Sequence, residues 1–427
     1  MKRRLFNGLT TYGLCALMTL APTQLSAFFA SVKGAGMAVT GIAFPQDSET
    51  GAYNPAAISW VGSRVDIGTT PIYTRGLTTV RGNAIPSLNE SLNPYNKHWV
   101  FNPHFGVTKD FCFCTSKLTA GFVVYNGADL VYCKYNKAIP LLGQSPVRLS
   151  YYQEVFAPMM SVKLNECLSV GIACNVFVQR FKLNGLENFD IEENSVAPGF
   201  VTNNGPSVGY GVGFQVGALA DLGKGIKAGF TFTPQTPITR FKKYVGFVAN
   251  RGKFDAPCKV GGGISARITE DLTFAFDVVW EGWNRVNALH NPFHYPSETF
   301  EERLGGDNGS GFAWRDRTFY RGGFNYQATD KLALRAGFRH ARTSIPNDTT
   351  ATNLLVLETI ENFIAVGATL KLTECIEGSV FYGHGFTHTI HGENSVPPGL
   401  PPAGLGGGEI DITQGRDAFG FSLGIIY

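Results

Sequence analysis

Arg335 and Arg339 stand four residues apart in a stretch whose side chains alternate, so both guanidinium groups fall on one face. Arg321 lies in the alternating stretch before it. A guanidinium holds a carboxylate through two parallel hydrogen bonds, which makes these three residues candidate contacts for an anionic ligand head. The same residues also suit a structural role, pairing with acids such as Asp277 inside the protein. His384, His388 and His391 invite a metal reading, but along an extended chain they are too far apart to share one ion. Cys112-Phe113-Cys114 lacks the second pair that a zinc site needs. Neither Gly261-Gly262-Gly263 nor the Gly-rich stretch from Val208 leads into a helix carrying Lys-Ser/Thr, so neither is a phosphate loop. No Gly-x-Ser-x-Gly occurs. The chain reads as a non-enzyme without cofactor or metal.

The elements that would position these residues are strands. From Leu272, one face carries Leu272, Phe274, Phe276, Val278 and Trp280, and the other Thr273, Ala275 and Asp277. The same period of two runs from Val208 to Val216, from Leu332 to Arg339 and from Phe419 to Tyr427. The stretches run about ten residues, as a tilted membrane-crossing strand requires. Their second faces are rich in Gly, Ser, Thr and charge, which suits a polar lumen. Tight turns at Leu164–Glu166, Asp221–Lys224, Thr269–Asp271, Thr329–Asp330 and Thr373–Glu374 alternate with long polar connections. Those connections are Lys182–Pro206, Pro234–Pro257, Asn284–Arg317, Thr343–Asn362 and His388–Arg416. Outer-membrane barrels show this arrangement, with short turns toward the periplasm.

The reading is therefore all-β: a transmembrane antiparallel barrel of about 14 strands. Strand starts are expected near Arg64, Trp99, Lys117, Ser150, Leu168, Ser207, Gly225, Cys258, Leu272, Thr318, Lys331, Phe363, Ile376 and Asp417. Residues 1–27 read as a secretory signal: Lys2-Arg3-Arg4, an apolar run from Tyr12 to Ala21, then Pro22 and the small pair Ser26-Ala27. Without those three basic residues, 33 Lys and Arg balance 33 Asp and Glu, so no charged partner such as nucleic acid is implied. Residues 28–62 are small-residue rich and punctuated by Pro45 and Pro55. A barrel this wide cannot be filled by its own wall, so this segment is the expected hatch and residues 63–427 the barrel.

At this point the sequence resembles the FadL/TodX-type outer-membrane transporters of long-chain fatty acids and other hydrophobic compounds. Gly34-Ala35-Gly36-Met37-Ala38 and Asp47 through Asn54-Pro55-Ala56-Ala57 are similar to that family's N-terminal hatch. Leu272–Trp283, Tyr320–Tyr326 and Asp330–Phe338 are similar to its recurrent strands. The resemblance implies uptake of a fatty acid or similar hydrophobic molecule through a hatch-plugged barrel. Asn54, Pro55 and Ala56 would gate, facing a kink in the third strand at Asn126, Gly127 and Ala128, where the ligand leaves sideways into outer-membrane lipid. It further implies a monomer in a Gram-negative outer membrane, with Tyr427 as the terminal aromatic read by the barrel-assembly machinery. The loop Lys182–Pro206 departs from the pattern, being polar where a greasy capture groove is expected. A non-selective porin and a loop-displaying adhesin are the alternatives. Cys112, Cys114, Cys167 and Cys375 fall at or beside the expected periplasmic turns, either as cross-linking positions or as incidental thiols.

Overall fold

The computed structural model describes residues 29–96, 99–113, 116–127 and 131–427. The expected signal over residues 1–27 lies outside them, as do Cys114 and Ala128.

Among the described residues, fourteen antiparallel strands close into a barrel when the third is counted once across its two segments, and a two-residue strand, Ser91–Leu92, adds to the first. The first five are β1 Arg64–Arg81, β2 Trp99–Phe113, β3 in two segments (Ser116–Asn126 and Val131–Ala138), β4 Pro146–Lys163 and β5 Leu168–Asn184. Next come β6 Ser207–Gly223, β7 Ile226–Thr233, β8 Cys258–Arg267, β9 Leu272–Gly282 and β10 Arg317–Gln327. The last four are β11 Leu332–His340, β12 Asn362–Lys371, β13 Ile376–Ile390 and β14 Glu409–Ile426. β14 closes the wall against β1, from Arg64 opposite Ile426 to Arg81 opposite Glu409.

The alternation seen in sequence fixes which way each side chain points. Along β9, Phe276, Val278 and Trp280 are exposed, while Ala275, Asp277 and Val279 are buried. Phe214, Phe338 and Phe421 are exposed on other strands in the same way. A soluble monomer does not carry a continuous apolar belt of this size, and a lipid-facing wall does.

Several strands outrun the ten residues expected. β1, β4 and β14 have 18 residues each. About ten suffice to cross the hydrocarbon, so the remainder carries the wall beyond it to support the loops. β14 accordingly begins at Glu409 rather than Asp417, and β4 at Pro146 rather than Ser150. The Glu409–Arg416 extension alternates Ile410 and Ile412 with Glu409, Asp411 and Thr413, and its apolar side faces loops instead of lipid.

Residues 29–62 lie inside the wall. They form a short helix α1 (Val32–Ala35) and two 3-10 turns, Ser48–Ala52 and Pro55–Trp60. Each begins on a side chain that accepts a backbone N–H: Ser31 from Gly34, Asp47 from Thr50 and Asn54 from Ala56. α1 packs on β12, β13 and β14, the first turn on β1, β2 and β3, and the second on β3 to β6. Asp277 of β9 accepts from the N–H groups of Gly41 and Ile42 at 2.7 and 3.1 Å, and Ser265 of β8 donates to the Ala43 carbonyl at 2.8 Å. The segment thus touches strands around the whole circumference.

Candidate functional site: a series of cavities ending at a break in the wall

Under the loops lies a cavity of about 1200 Å³, counting its open mouth. Leu186, Phe189, Phe247, Phe254, Phe293 and Phe312 line it, among other apolar side chains. This corrects the expectation that the long connections are polar. In 182–206, Asn184, Glu187, Asp190, Glu192 and Glu193 face partly or fully outward, while Leu183, Leu186 and Phe189 turn inward.

Two further cavities follow. A middle one of about 520 Å³ shares Phe254 with the vestibule and is walled by Trp283, Trp314, Arg317, Ser344 and Glu358. The last, about 670 Å³, shares Gly127, Gln153, Pro257 and Glu281 with the middle one. It reaches Ile42, Ala52 and Tyr53 of the inner segment, together with Tyr125 and Arg321. The three lie in series from the loop end to the third strand.

At that strand the wall is incomplete among the described residues. β2 and β3 pair only from Phe105–Val124 to Phe113–Ser116, while Trp99–His104 pair with β1 alone. The second segment of β3 pairs with β4. Its described backbone pairing on the other side is a single bridge between Tyr95 and Lys134, while the side chains of Tyr135 and Lys137 bond Thr78 and Glu90. Between Phe105–Val124 and that bridge the described wall has no ladder. On its β4 side the third strand stays paired, with an uneven count. Asn126 to Val131 is 131 − 126 = 5 steps, but their partners Glu154 to Tyr151 are 154 − 151 = 3, so β3 carries two surplus residues. Gly127 N–H still reaches the Gln153 carbonyl at 2.9 Å. A Cβ there would meet Val155 at 2.5 Å and Gln153 at 2.7 Å, so a larger residue crowds this approach.

The sill of this window is tied to the inner segment. His104 Nδ1 is 2.6 Å from Glu49 Oε1, and both side chains are fully buried. Burial pushes the Glu49 carboxyl up to about 7, against the opposing pull of His104. At the short-turn end, Glu377 of β13 binds both Lys33 and Arg64, and Arg64 also holds Asp66 at 2.7 Å.

The residues singled out in sequence separate into two sets. Asn54 donates to the carbonyls of Ile42 and Ala218 at 2.9 and 3.0 Å, and Ser161 and Ser169 donate to the Ala56 carbonyl. Asn54, Pro55 and Ala56 therefore pack on β4, β5 and β6, not against the third-strand break. A Cβ on Gly171 would lie 2.5 Å from Pro55 and Ala56, which is how close the backbones come. Ala52 and Tyr53, just before them, face the cavity that holds Gly127. Asn126 is the last paired residue before the break.

Arg321 and Arg339 stand opposite each other on β10 and β11 and share the Phe319 ring, while Arg335 is engaged elsewhere. Arg335 donates to Gln46 at 2.6 Å and Thr369 at 2.7 Å, so it fastens the inner segment. Arg339 lies over the rings of Phe319 and Phe363. Arg321 reaches the Val39 carbonyl at 3.3 Å and alone lines a cavity. His384 and His391 meet Asp417 and Asp411 at 2.7 and 3.3 Å, and His388 meets the Thr359 carbonyl. Among the described residues, no group of His, Cys, Asp or Glu could hold a metal. Cys133, Cys167, Cys174, Cys258 and Cys375 are free thiols.

Residues 19–396 match the family model for the outer membrane protein transport protein (OMPP1/FadL/TodX). The chain belongs to this family. It is an outer-membrane barrel of the FadL/TodX type, and its family transports hydrophobic compounds. Solved structures share the fold. A Pseudomonas aeruginosa FadL homologue superposes with a TM-score of 0.64 at 14% identity, covering 94% of this chain and 98% of that one. The P. putida toluene transporter TodX gives 0.65 at 12% identity over 94% and 99%. The Ralstonia pickettii toluene transporter TbuX gives 0.60 at 13% identity over 94% and 98%. No curated protein matches the chain.

Sequence reasoning did not find Trp283, Arg317, Ser344, Glu49 or His104. Apolar runs inside the long connections, such as Phe247-Val248-Ala249 and Leu354-Leu355-Val356-Leu357, were a legible sign of the vestibule.

Proposed function

We propose that this barrel takes up hydrophobic molecules, with long-chain fatty acids among them, and releases them sideways into the outer membrane. The observation that carries the reading is the series of three cavities ending where β2 and β3 stop pairing. Burying a methylene contributes about 0.8 kcal/mol, so an acyl chain of about sixteen carbons gains roughly 12 kcal/mol at most in an apolar site. A water-filled pore would forfeit that gain. A route that passes from greasy vestibule to lipid keeps it.

Residues 29–62 act here as a hatch. Their bonds to strands on every side count against an open, non-selective porin. Asn54, Pro55 and Ala56 serve as the fixed anchor of that hatch on β4 to β6, and Ala52 and Tyr53 as the part facing the ligand. The test is uptake of labelled oleate and toluene by cells lacking their own transporter. Expression of this chain should raise uptake of at least one above the empty-vector control, with no steady conductance in planar bilayers. Large ohmic conductance without uptake would overturn the reading in favour of a porin.

A further inference from the structure

The outward face of the wall changes character at its loop end, between the third strand and β6. On β5, Val170, Ile172, Cys174, Val176 and Val178 face outward, and the next two outward positions are Arg180 and Lys182. About ten residues cross the hydrocarbon, so these charges begin where the lipid head groups do. Register sets Tyr152 of β4 opposite Arg180, Ser150 opposite Lys182 and Arg148 opposite Asn184, while Lys134 of β3 stands opposite Arg148. Arg148 is exposed, and Lys134, Arg180 and Lys182 are half-exposed. Side chains directly opposite are about 5 Å apart and diagonal ones about 7–8 Å, so these four cations share one patch. Exposed Arg240 adds a fifth at its edge, following Thr239, whose N–H reaches the Tyr210 carbonyl of β6 at 2.9 Å.

Elsewhere on the outward face, cations are answered by the protein itself. Across β13, β14 and β1, Arg75 and His384 meet Asp417, and Arg81 and His391 meet Asp411. Among the described residues, Arg148, Arg180, Lys182 and Arg240 form no ion pair. Two acids lie near the patch. Glu154 is the outward residue below Tyr152, and Glu187 of the β5–β6 loop accepts from Asn203 and from the N–H groups of Gln144 and Ser145. Neighbouring like charges on a sheet face destabilise it unless an anion joins them.

We propose that this patch binds the phosphate groups of lipid A, the phosphorylated glycolipid of the outer leaflet. The apolar belt directly below, with Phe156, Val176 and Val212 in one row, takes its acyl chains, which selects an amphiphile over a free phosphate. Tyr152 and Tyr210 stand at the boundary, where aromatic side chains mark the head-group level. The leaflet follows from the loop end, since short turns face the periplasm. Arg148 and Arg180 can each hold a phosphate through two hydrogen bonds, and Lys182 adds a point charge. The site lies outside the wall and does not depend on the transport reading.

The test uses the full barrel, refolded in non-ionic detergent free of glycolipid, with bound lipid counted by native mass spectrometry. Each basic residue at an anionic lipid surface is worth about fivefold in affinity. Diphosphorylated lipid A should therefore bind at least about tenfold more tightly than the same lipid stripped of its phosphates. Arg148→Gln with Arg180→Gln and Lys182→Gln should lower its affinity about a hundredfold. Arg148→Gln alone, on an exposed side chain, should lower it about fivefold if the triple variant fails to fold. Arg75→Gln with Arg81→Gln, on the paired side, should change it less than about twofold, since charges beyond about 10 Å are screened. Equal binding of the stripped lipid, or an affinity unmoved in the Arg148 variants, would overturn the site. An equal loss in the paired-side variant would contradict its placement. Phosphatidylglycerol binding as tightly as lipid A would overturn the assignment to the glycolipid, and displacement by millimolar inorganic phosphate would overturn the choice of an amphiphile.

Discussion

The two ends of the lumen are built on opposite principles. The loop end is held by apolar contact: Phe241 and Phe247 stack on Phe181, Tyr244 meets it edge-on, and Leu186, Phe189 and Phe312 surround open space. The short-turn end is held by directed polar bonds, with Lys33, Arg64, Asp66 and Glu377 linked in a buried network and Asn54 bonded to two backbone carbonyls. Apolar contact is non-directional and tolerates ligands of many shapes. A buried ionic network tolerates one arrangement, because any displacement leaves a charge unpaired. The difference assigns adaptability to the vestibule and register to the hatch.

The largest expected effect comes from breaking the directed end. Glu377→Gln leaves Lys33 and Arg64 short of their shared carboxylate. Removing one partner of a buried pair costs about 3–5 kcal/mol. The hatch should loosen, seen as new single-channel openings in planar bilayers and faster proteolysis within residues 29–62. A silent, protease-resistant variant would mean that the network does not hold the hatch. Phe189→Ala, at the adaptable end, should weaken dibromostearate binding about tenfold without opening the channel, since a buried Phe side chain contributes about 1.5–3 kcal/mol. Conductance appearing in that variant would erase the contrast between the ends.

The smallest effect is a pH dependence. Glu49 has its folded value raised to about 7 by burial, with His104 opposing. Asp47 is raised as well, by burial and by the charge of Asp66. Acids with raised values bind more protons in the docked state than when released, so docking weakens as pH climbs from the ordinary carboxylate range through about 7. Hydrogen exchange in residues 47–53, corrected for intrinsic rate, should quicken between pH 5 and pH 8. Glu49→Gln should flatten that slope, and an equal slope in the variant would remove Glu49 from the account.

Barrel and lipid-facing belt were legible because a period of two survives along every long strand, as in Phe274, Phe276 and Val278. The extension of β14 to Glu409 was not, because beyond the membrane both faces of a strand are covered or wetted and the contrast between them fades. Gly127 was legible as a point of close approach. The window is a property of strand pairing, the β2–β3 ladder stopping at Phe105–Val124, which one strand read alone does not contain. Arg317 comes to the middle cavity through the β9–β10 register, opposite Glu281, and Ser344 through loop folding, so no spacing in the sequence marks them beside Trp283.

The most direct measurement removes the surplus. Deleting Ala128 and Asp129 matches β3 to β4 residue for residue between Asn126–Glu154 and Val131–Tyr151, and the straightened β3 should then continue its pairing with β2 beyond Phe105–Val124. Cells lacking their own transporter would express this variant or the wild type at equal barrel levels and be given labelled oleate. The account predicts uptake at background for the deletion, with dibromostearate quenching in the purified variant retained. Uptake equal to wild type from a barrel with a sealed third strand would contradict lateral release.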